Sequence, residues 1–392
     1  MESGSRLTRY DVIVVGLGAM GSAALFQLAK RGVRVLGIDR FAPPHAQGSS
    51  HGDTRITRLA IGEGAHYTPL VKRSNAIWRE IERETGADLL TQCGELIISS
   101  DSRKSSVHVD GFFRNTVNAA RDHGVAHALL DAGQIRSRFP QFNIRDSEFG
   151  YYESEAGFVR PEACIAAQLS LAQKHGAQIR RNETVSGFSA GPDAVTVQTD
   201  RGFYRADRLI VAAGAWLPKL LGGDFEKLLK IYRQVLHWFA VDGAAESFAP
   251  GRFPVFIWEL PDLRQGIYGF PLVDDGLKIA TEQYIRTTVP DSADRAVSPE
   301  EIAAMHADYV RPYLKGVGPR SVKAVACLYT VTPDAGFIID TLPSSERVIV
   351  ASCCSGHGFK HSAAIGEVLA DKAERCEGRF DTARFRLARF SA

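Results

Sequence analysis

The chain has 392 residues, 45% of them hydrophobic, which is enough for about two or three domains with sizeable cores. Its 47 basic and 45 acidic residues give a net charge of +2, so the composition shows no sign of nucleic acid or a membrane surface as a partner, while a small charged substrate stays possible. No apolar run reaches the roughly 18 residues of a membrane span, and the N-terminal MESGSRLTRY lacks the apolar region of a signal peptide, so a cytoplasmic protein is expected.

The first predicted unit is a βαβ motif between residues 10 and 40. An apolar run from Val12 to Val15 predicts a buried strand, the glycine turn GLGAMG follows it, and good helix formers recur at helical spacing from Ala19 to Arg31. A second strand ends at Asp39, where a carboxylate can accept hydrogen bonds from a ribose, while the first helical turn offers free N–H groups to a pyrophosphate. The unit therefore predicts a dinucleotide site, but it does not by itself distinguish FAD from NAD. The cofactor-binding residues in it are Gly16, Gly18, Gly21, Asp39 and Arg40.

A polar loop, FAPPHAQGSSHGDTRITR, follows at residues 41–58. Its content of Pro, Gly, Ser and His is typical of loops that line binding sites. Arg55 and Arg58 are three residues apart and would share one face if the segment is helical, with His51 and Thr54 close by. A solvated basic turn is an equally good interpretation of this loop taken alone.

The middle of the chain mixes helices with a few strands. Helices are predicted over 67–85, 111–123, 132–139 and 161–175, with a strand at 94–99, and an inserted second domain is expected to begin within this stretch. Strands are predicted at 177–180, 184–190 and 194–199. The run 205–216 then places a buried strand directly against Gly214, as the first strand does at Gly16. This second strand is therefore predicted to end near the nucleotide.

The second half of the chain predicts a sheet and a final helix. Aromatic, strand-like runs at 234–241, 254–260, 266–271 and 276–281 indicate an antiparallel sheet with one face towards a cavity. SPEE at 298–301 predicts the start of a helix that extends to Leu314. Further strands are predicted at 322–332, 337–340 and 348–351. A last helix, over 362–376, is entered through the glycine-bearing segment SGHGFK.

The six cysteines show neither metal-ligand spacing nor the density of a disulfide-stapled secreted domain. Most are therefore predicted to be reduced and buried, and no metal site is predicted.

Several motifs together resemble one known family. GSSHGDTRITR at 48–58, GIYGFP at 266–271, GLKI at 276–279, ACLYT at 326–330, GFIID at 336–340 and SGHGFK at 355–360 are similar to the monomeric sarcosine oxidase and N-methyltryptophan oxidase family. The resemblance runs from Tyr10 to about Phe390 in the same order. It implies FAD rather than NAD, and a monomeric amine oxidase that uses O2.

The resemblance also implies a fold of mixed class, α/β and α+β. An FAD-binding Rossmann-like domain is expected over 1–88, 151–222 and 324–392. An inserted antiparallel-sheet substrate domain is expected over 89–150 and 223–323. The FAD domain is thus predicted to be discontinuous in the chain.

The resemblance assigns roles to individual residues. Cys327 falls where the family attaches the flavin through a thioether, and Arg58 and Lys360 match the pair that binds the substrate carboxylate. Lys278 matches the lysine associated with oxygen activation. The remaining implied residues lie beside the flavin or face the active site: His51, Arg55, Tyr268 and Tyr329 near the reacting groups, and Ser49, Thr54, Gly214, Gly356, His357 and Gly358 towards the cofactor.

One position departs from the family, because Glu282 stands where those oxidases have a histidine. A carboxylate there would repel a substrate carboxylate and attract a cation, so the substrate can differ from sarcosine and N-methyltryptophan. Alternatively, Glu282 turns to solvent or pairs with Lys278 or an arginine. Ile257 and Trp258 lie in a strand that is expected to line the pocket.

The resulting expectation is a flavoprotein oxidase. It would oxidise a secondary amine of an N-methyl or cyclic amino acid-like substrate to an imine and reduce O2 to H2O2. One alternative is an FAD-dependent amine or amino-acid dehydrogenase that passes electrons to a quinone or a protein. A second alternative is a non-catalytic FAD-binding partner protein.

Overall fold

The computed structural model describes residues 9–102, 109–261, 263 and 265–390. The N-terminal residues 1–8, part of the segment for which no signal peptide is predicted, lie outside this range. Within the described residues, none of the helices combines the length and the apolar character that crossing a membrane requires.

The described strands and helices alternate along the chain. The strands are β1 (Arg9–Val15), β2 (Val35–Ile38), β3 (Arg55–Thr57), β4 (Leu90–Gln92), β5 (Glu95–Ser100), β6 (Ala128–Asp131), β7 (Glu148–Glu153), β8 (Gly157–Val159), β9 (Gln178–Arg180), β10 (Val185–Ala190), β11 (Val195–Thr199), β12 (Gly202–Val211), β13 (Lys230–Val241), β14 (Val255–Trp258), β15 (Ile267–Gly269), β16 (Leu277–Thr281), β17 (Val317–Val331), β18 (Ile338–Leu342) and β19 (Ser345–Ser352). The α-helices are α1 (Ala19–Lys30), α2 (Thr68–Thr85), α3 (Phe112–Asp122), α4 (Ala132–Arg138), α5 (Pro161–Lys174), α6 (Leu217–Leu221), α7 (Asp224–Leu228), α8 (Pro299–Met305) and α9 (Ser362–Glu374).

The first sheet has the strand order β10-β11-β12-β1-β2-β9, with β19 paired to β12 and β18 to β19. Strands β9, β2, β1, β12 and β19 are parallel, so their carboxyl ends share one edge. Alternate residues of β1 enter two cores: Val14 packs with α1, α5 and α9, and Ile13 packs on the opposite face. The sheet is thus covered on both faces, and its ligand-binding edge lies where parallel strands end.

The second sheet has the order β17-β13-β16-β15-β14-β5-β7-β6. Its neighbouring strands are antiparallel, as expected, except that β5 and β14 run parallel. These two strands come from distant stretches of chain, so no hairpin fixes their relative direction. A three-stranded sheet, β3-β8-β4, adds a third group of paired strands.

The structure corrects some local predictions. Arg55 lies in strand β3 and not in a helix, so the expected helical face shared with Arg58 does not form. The helix predicted from Ser298 to Leu314 ends as α8 at Met305 and continues as one π-helical turn, His306–Val310. Its predicted start is confirmed, because Ser298 and Glu301 form a capping box.

Candidate active site

A cavity of about 550 Å³ extends from the carboxyl edge of the first sheet to the second sheet. Both sheets contribute to its wall, since Gly16 follows β1 and Ile257 belongs to β14. Most of the residues singled out from the sequence line it: Gly16, Gly18, Asp39, Arg40, Ser49, Arg55, Arg58, Gly214, Ile257, Tyr268, Glu282, Tyr329, Gly356, His357, Gly358 and Lys360. The residues singled out that do not line it are Gly21, His51, Thr54, Trp258, Lys278 and Cys327.

Two glycines of the turn after β1, Gly16 and Gly21, leave no room for a side chain. Gly16 has a φ of 84°, and a Cβ added there would lie 2.5 Å from the carbonyl oxygen of Ala212. A Cβ on Gly21 would lie 1.7 Å from the carbonyl oxygen of Gly16. The first turn of α1 therefore packs directly against the turn and keeps its N-terminal end at the cavity.

Asp39 fastens the same turn from the end of β2. Its Oδ2 accepts a hydrogen bond of 2.7 Å from the backbone N–H of Leu17, and its Oδ1 accepts one of 2.8 Å from the N–H of Phe41. The Asp39 carboxylate thus links the turn between β1 and α1 to the loop that follows β2. Both segments border the cavity.

Asp291, in the loop between β16 and α8, binds three residues of the wall at this end of the cavity, and we call this group of hydrogen bonds the Asp291 clasp. Asp291 accepts hydrogen bonds from Trp216 Nε1 at 2.7 Å, Lys219 Nζ at 2.9 Å and Arg40 Nη1 at 2.5 Å. These three hydrogen bonds hold the pKa of Asp291 below its usual range, and the bond from Trp216 contributes most. The cavity wall contains all three donors: Trp216, Lys219 and Arg40. Asp291 lies after β16 of the second sheet, so its carboxylate connects three residues of the wall that the first sheet's segments form.

Two buried cations lie at the other end of the cavity. Arg58 is only 2% exposed, and its Nη2 lies 2.6 Å from Glu63 Oε2. Lys360 Nζ donates to the carbonyl of His357 at 2.7 Å and lies 3.9 Å from Glu63 Oε1. Burial lowers the pKa of Lys360 to about 8, an effect that the Glu63 carboxylate opposes. The pair can therefore bind an anion that reaches this end.

Two further carboxylates lie behind Arg58. Glu95, in β5, is fully buried; neither of its oxygens accepts a hydrogen bond from any residue that the structure describes, and Oε1 lies 3.7 Å from Arg58 Nη1. Burial raises the pKa of Glu95 to about 8, although Arg58 acts in the opposite sense. Glu153 accepts from the backbone of Leu59 at 2.6 Å and from Tyr151 at 2.9 Å. Neither Glu95 nor Glu153 was predicted from the sequence. For Glu95 the available signal was an acidic residue at the start of the apolar run ELIIS.

Lys278 lies beneath the loop that follows Ser50, and not on the cavity wall. Its Nζ donates to Gly52 O at 2.6 Å, Thr54 O at 2.7 Å and Thr54 Oγ1 at 3.2 Å. Burial lowers the pKa of Lys278, with Arg55 contributing in the same direction. Three oxygen acceptors match the three N–H donors of an ammonium, so the geometry favours the charged form despite burial.

Arg55 lines the cavity beside this loop, and His51 lies within the loop. Arg55 donates through Nη2 to the carbonyls of Ser49 and His51, each at 2.6 Å. Burial, together with Arg55 and Lys278, lowers the pKa of His51 to about 3. His51 is therefore neutral near pH 7.

Cys327 lies behind the cavity wall. It is fully buried and packs in one cluster with Leu236, Trp238 and Tyr329. Burial raises its pKa, while Arg55 and Lys278 lower it. Two other cysteines, Cys353 and Cys354 after β19, are among the residues that line the cavity.

Glu282 follows β16 and faces the cavity. Tyr284 donates a hydrogen bond of 3.0 Å to its Oε2, and Tyr329 donates one of 3.4 Å to its Oε1. The described hydrogen bonds of Lys278 go to Gly52 and Thr54, so Glu282 takes none of them. The carboxylate therefore belongs to a cluster of tyrosines on the wall.

The pocket prediction for Trp258 is wrong. Ile257 lines the cavity, but the next residue in β14 points to the opposite face of the sheet. There Trp258 is fully buried against Phe142, and its Nε1 donates to Glu148 at 2.9 Å. Trp258 is thus a core residue.

Comparisons with known proteins agree with this geometry. Residues 11–372 match the family described as FAD dependent oxidoreductase. The chain is 39% identical over 368 residues to monomeric sarcosine oxidase of Streptomyces avermitilis, covering 93% of each chain. It is 35% identical over 387 residues to N-methyl-L-tryptophan oxidase of Salmonella newport, covering 98% of this chain and 100% of that one.

Solved structures share the fold. NikD, an unusual amino acid oxidase essential for nikkomycin biosynthesis, superposes with a TM-score of 0.81 at 24% identity, covering 96% of this chain and 97% of its own. L-proline dehydrogenase from P. horikoshii superposes with a TM-score of 0.78 at 19% identity, covering 98% of each chain. The family resemblance predicted from the motifs is confirmed. The chain therefore belongs to the FAD dependent oxidoreductase family, alongside the monomeric sarcosine oxidases and the N-methyl-L-tryptophan oxidases.

Proposed function

We propose that this chain is a flavoprotein oxidase that converts a secondary amine of an N-methyl or cyclic amino acid-like substrate to an imine and reduces O2 to H2O2. The observation that carries the proposal is the pair of buried cations, Arg58 and Lys360, in the same cavity as the dinucleotide turn. The names of the two curated relatives point to the same chemistry.

The residues at the sheet edge fit FAD. The glycine turn brings the N-terminus of α1 to the cavity, and side chains at Gly16 or Gly21 would collide with backbone oxygens there. The same cavity is lined by Ser49, Gly356 and Gly358 and by the two cations. Gly16, Gly18 and Asp39 would hold the adenosine and pyrophosphate half, and Gly214, Gly356 and Gly358 would border the rest. When bound, FAD accepts the hydride of the amine and passes the electrons to O2.

Arg58 and Lys360 orient the substrate. A guanidinium and an ammonium hold a carboxylate in one orientation, which fixes the neighbouring C–H and amine relative to the cavity. Glu63 lies within ion-pair distance of both cations, so the amino-acid carboxylate meets cations that are already placed. Arg55 holds the loop that forms the adjoining wall, because it donates to the backbone carbonyls of Ser49 and His51.

Lys278 supplies a fixed positive charge for the oxygen half-reaction. Its ammonium lies under the Gly52–Thr54 backbone, so it acts through the field that it creates and through the loop that it fixes, and not by contact across the cavity. A pre-placed charge stabilises the anion that forms when O2 gains an electron.

Cys327 is our candidate for a covalent link to the flavin. Burial raises the pKa of its thiol, and the positive charges of Arg55 and Lys278 oppose that rise and so favour the thiolate, which is the form needed for a thioether bond. We further propose a monomer that works in the cytoplasm, where buried free thiols such as Cys164 and Cys353 are typical.

The function is tested by mixing the purified protein with N-methyl and cyclic amino acids without oxygen and following the flavin absorbance. Bleaching, followed by H2O2 in a one-to-one ratio with imine product once air is admitted, is the expected result. Bleaching with no peroxide would instead identify a dehydrogenase, and no bleaching by any amine would identify a non-catalytic flavoprotein.

Lys278→Met tests the oxygen role, with Lys323→Met as its matched control. Both lysines lie over the Trp238 ring, at 5.3 Å and 4.6 Å, but Lys323 is half-exposed and bound to Asp53. Only Lys278→Met should slow reoxidation while leaving anaerobic bleaching fast. Equal reoxidation rates in the two variants would contradict the role.

Attachment is tested by acid precipitation. The wild-type pellet should stay yellow, and Cys327→Ser should release the colour. Cys354→Ser is the matched control, because Cys354 is a residue of the cavity wall. A colourless wild-type pellet, or colour lost only in Cys354→Ser, would exclude Cys327.

A further inference from the structure

One peptide group separates Lys278 from a carboxylate of helix α5. The Lys278 ammonium donates to the carbonyl oxygen of Gly52 at 2.6 Å, and the N–H of Asp53, which belongs to the same peptide group, donates to Glu162 Oε1 at 3.3 Å. The N–H of Gly52 donates to the same carboxylate oxygen at 2.5 Å. The cation and the carboxylate thus lie at opposite ends of one peptide dipole, and each polarises the peptide in the direction that strengthens the other hydrogen bond.

The backbone of this loop holds the peptide group in that orientation. Gly52 and Asp53 have φ of 94° and 68°, so two successive residues lie in the left-handed region and their N–H groups converge on one anionic oxygen. Gly52 suits this conformation because it has no Cβ, which would lie 2.5 Å from Leu236 Cδ1. Glu162 directly follows Pro161 in the first turn of α5, so the start of that helix fixes the carboxylate from the other side of the loop.

Lys278 is surrounded by aromatic rings and titratable groups from neighbouring elements. Strands β13 and β15 contribute the rings of Trp238 and Phe270, whose centroids lie 5.3 Å and 4.5 Å from the ammonium. The titratable groups near it on β3, β17, α5 and the loop are Arg55, His51, Cys327, Lys323, Asp53 and Glu162. Because Arg55 adds a second positive charge in this buried region, the ammonium needs an anion as its partner.

Glu162 is the anion best placed for this purpose. The carboxylate of Asp53 is 36% exposed and binds Lys323 at 2.8 Å, so its charge is compensated and screened by water. Burial raises the pKa of the Cys327 thiol, which is therefore neutral near pH 7. Glu282, four residues further along β16, accepts hydrogen bonds from tyrosines. Glu162 differs from these groups because it contacts the very peptide group to which the ammonium donates.

Resting on the proposed function, we propose that Glu162 is the counter-ion of Lys278 and, through the Gly52–Asp53 peptide, a positioning residue for the reduction of O2. Glu162 does not line the cavity, so it acts through the lysine and not on the substrate. Its charge favours the protonated form of Lys278, and its two hydrogen bonds hold the carbonyl to which the ammonium donates. Without that charge, Lys278 should release its proton at a lower pH and no longer stabilise the anion formed from O2.

The first test is a double-mutant cycle that does not depend on catalysis. Glu162→Gln keeps an oxygen that can accept both backbone N–H groups and removes only the charge. Urea unfolding of the flavin-loaded proteins near neutral pH measures its cost in the wild-type and the Lys278→Met backgrounds. The substitution should lower the folding equilibrium constant about tenfold more in the wild-type background. Equal effects in the two backgrounds would overturn the proposal.

The second test follows reoxidation of the flavin by O2 across the neutral and alkaline range. The flavin is reduced photochemically, so no amine substrate is needed. The rate in the wild type should fall towards that of Lys278→Met as Lys278 loses its proton, and Glu162→Gln should show the same fall about one pH unit lower. Above that step, reoxidation should be about tenfold slower in Glu162→Gln than in the wild type, because a shift of one unit changes the protonated fraction tenfold.

Glu300→Gln is the matched control. Glu300 directly follows Pro299 in the first turn of α8, as Glu162 follows Pro161 in α5, but it is exposed. It therefore removes the same charge from the same helical position, and its pH profile should superimpose on that of the wild type. A Glu162→Gln profile that also superimposes on the wild type would overturn the proposal.

Failure of the proposed function has a different signature. If the wild type reoxidised no faster than Lys278→Met at any pH, the oxygen role of Lys278 would fail and the role of Glu162 in that step would fail with it, while the coupling in unfolding would persist. If no amine reduced the flavin, the amine-oxidising part of the proposed function would fail, and both tests of Glu162 would still give their results.

Discussion

Replacing Glu95 by glutamine should stabilise the protein in alkaline solution and leave it unchanged in acid. The pKa of this carboxyl rises from 4.5 to about 8 in the folded chain, mainly because it is buried. At 1.36 kcal/mol per pKa unit, this rise corresponds to roughly 5 kcal/mol. The folded state binds more protons than the unfolded state between the two pKa values, so Glu95 lowers stability progressively as pH rises through that window.

Glu95→Gln removes the titration and keeps the shape of the side chain. Some of the cost is relieved by relaxation, so we expect a gain of about 2–5 kcal/mol near pH 8.5 and almost none near pH 5. Urea unfolding of the flavin-loaded proteins at both pH values measures the difference. The exposed Glu155→Gln is the control for loss of an acid elsewhere.

The opposite result would refute this reasoning. If Glu95→Gln is less stable than the wild type near pH 8.5, Glu95 is ionised in the folded chain and its attraction to Arg58, 3.7 Å away, outweighs the cost of burial.

Three further predictions concern the cavity. Gly21→Ala should abolish flavin binding, because its Cβ would lie 1.7 Å from the carbonyl of Gly16; a normal flavin-to-protein ratio after purification would contradict this. Asp291→Asn should speed the loss of flavin from the Cys327→Ser protein, as followed by flavin fluorescence, and an unchanged rate would show that the clasp does not retain the cofactor. The affinity for acetate, measured by flavin absorbance, should fall as pH rises above about 8, where Lys360 loses its proton and Glu95 ionises beside Arg58; the fall should be smaller in Lys360→Met, which keeps only the contribution of Glu95, and an equal fall in both proteins would contradict the role of Lys360.

That Gly16 and Asp39 border one cavity was predictable because the signals are local. Gly16 and Asp39 each follow a short apolar run, and the carboxyl ends of parallel strands meet at one edge whatever the rest of the chain does. Because these signals span only a few residues, the spacing of residues in the sequence was sufficient to place Gly16 and Asp39 at the same edge of the sheet.

The other end depends on packing that spacing does not encode. Every residue of β14 is buried, so the strand shows no polar alternation from which to tell that Ile257 faces the cavity and Trp258 the core. Glu95 could not be recognised from the sequence, because Arg58 contacts it from a distant segment of the chain, directly after β3. Motif resemblance identified Lys278 but not its position beneath the Gly52–Thr54 loop.

The interleaved order of strands in the first sheet has a consequence for synthesis on the ribosome. β1 is made first but pairs with β12, whose residues lie 196 positions later (Arg9 opposite Arg205), and β12 in turn pairs with β19 near the end of the chain. Such long sequence separations slow folding and leave strand edges exposed in nascent chains. The cavity-bordering edge of the first sheet is therefore completed only after β19 has emerged, so flavin loading should be a post-translational event. A nascent chain that stalls before Ser345 should be a target for chaperones and proteases rather than a partly active enzyme.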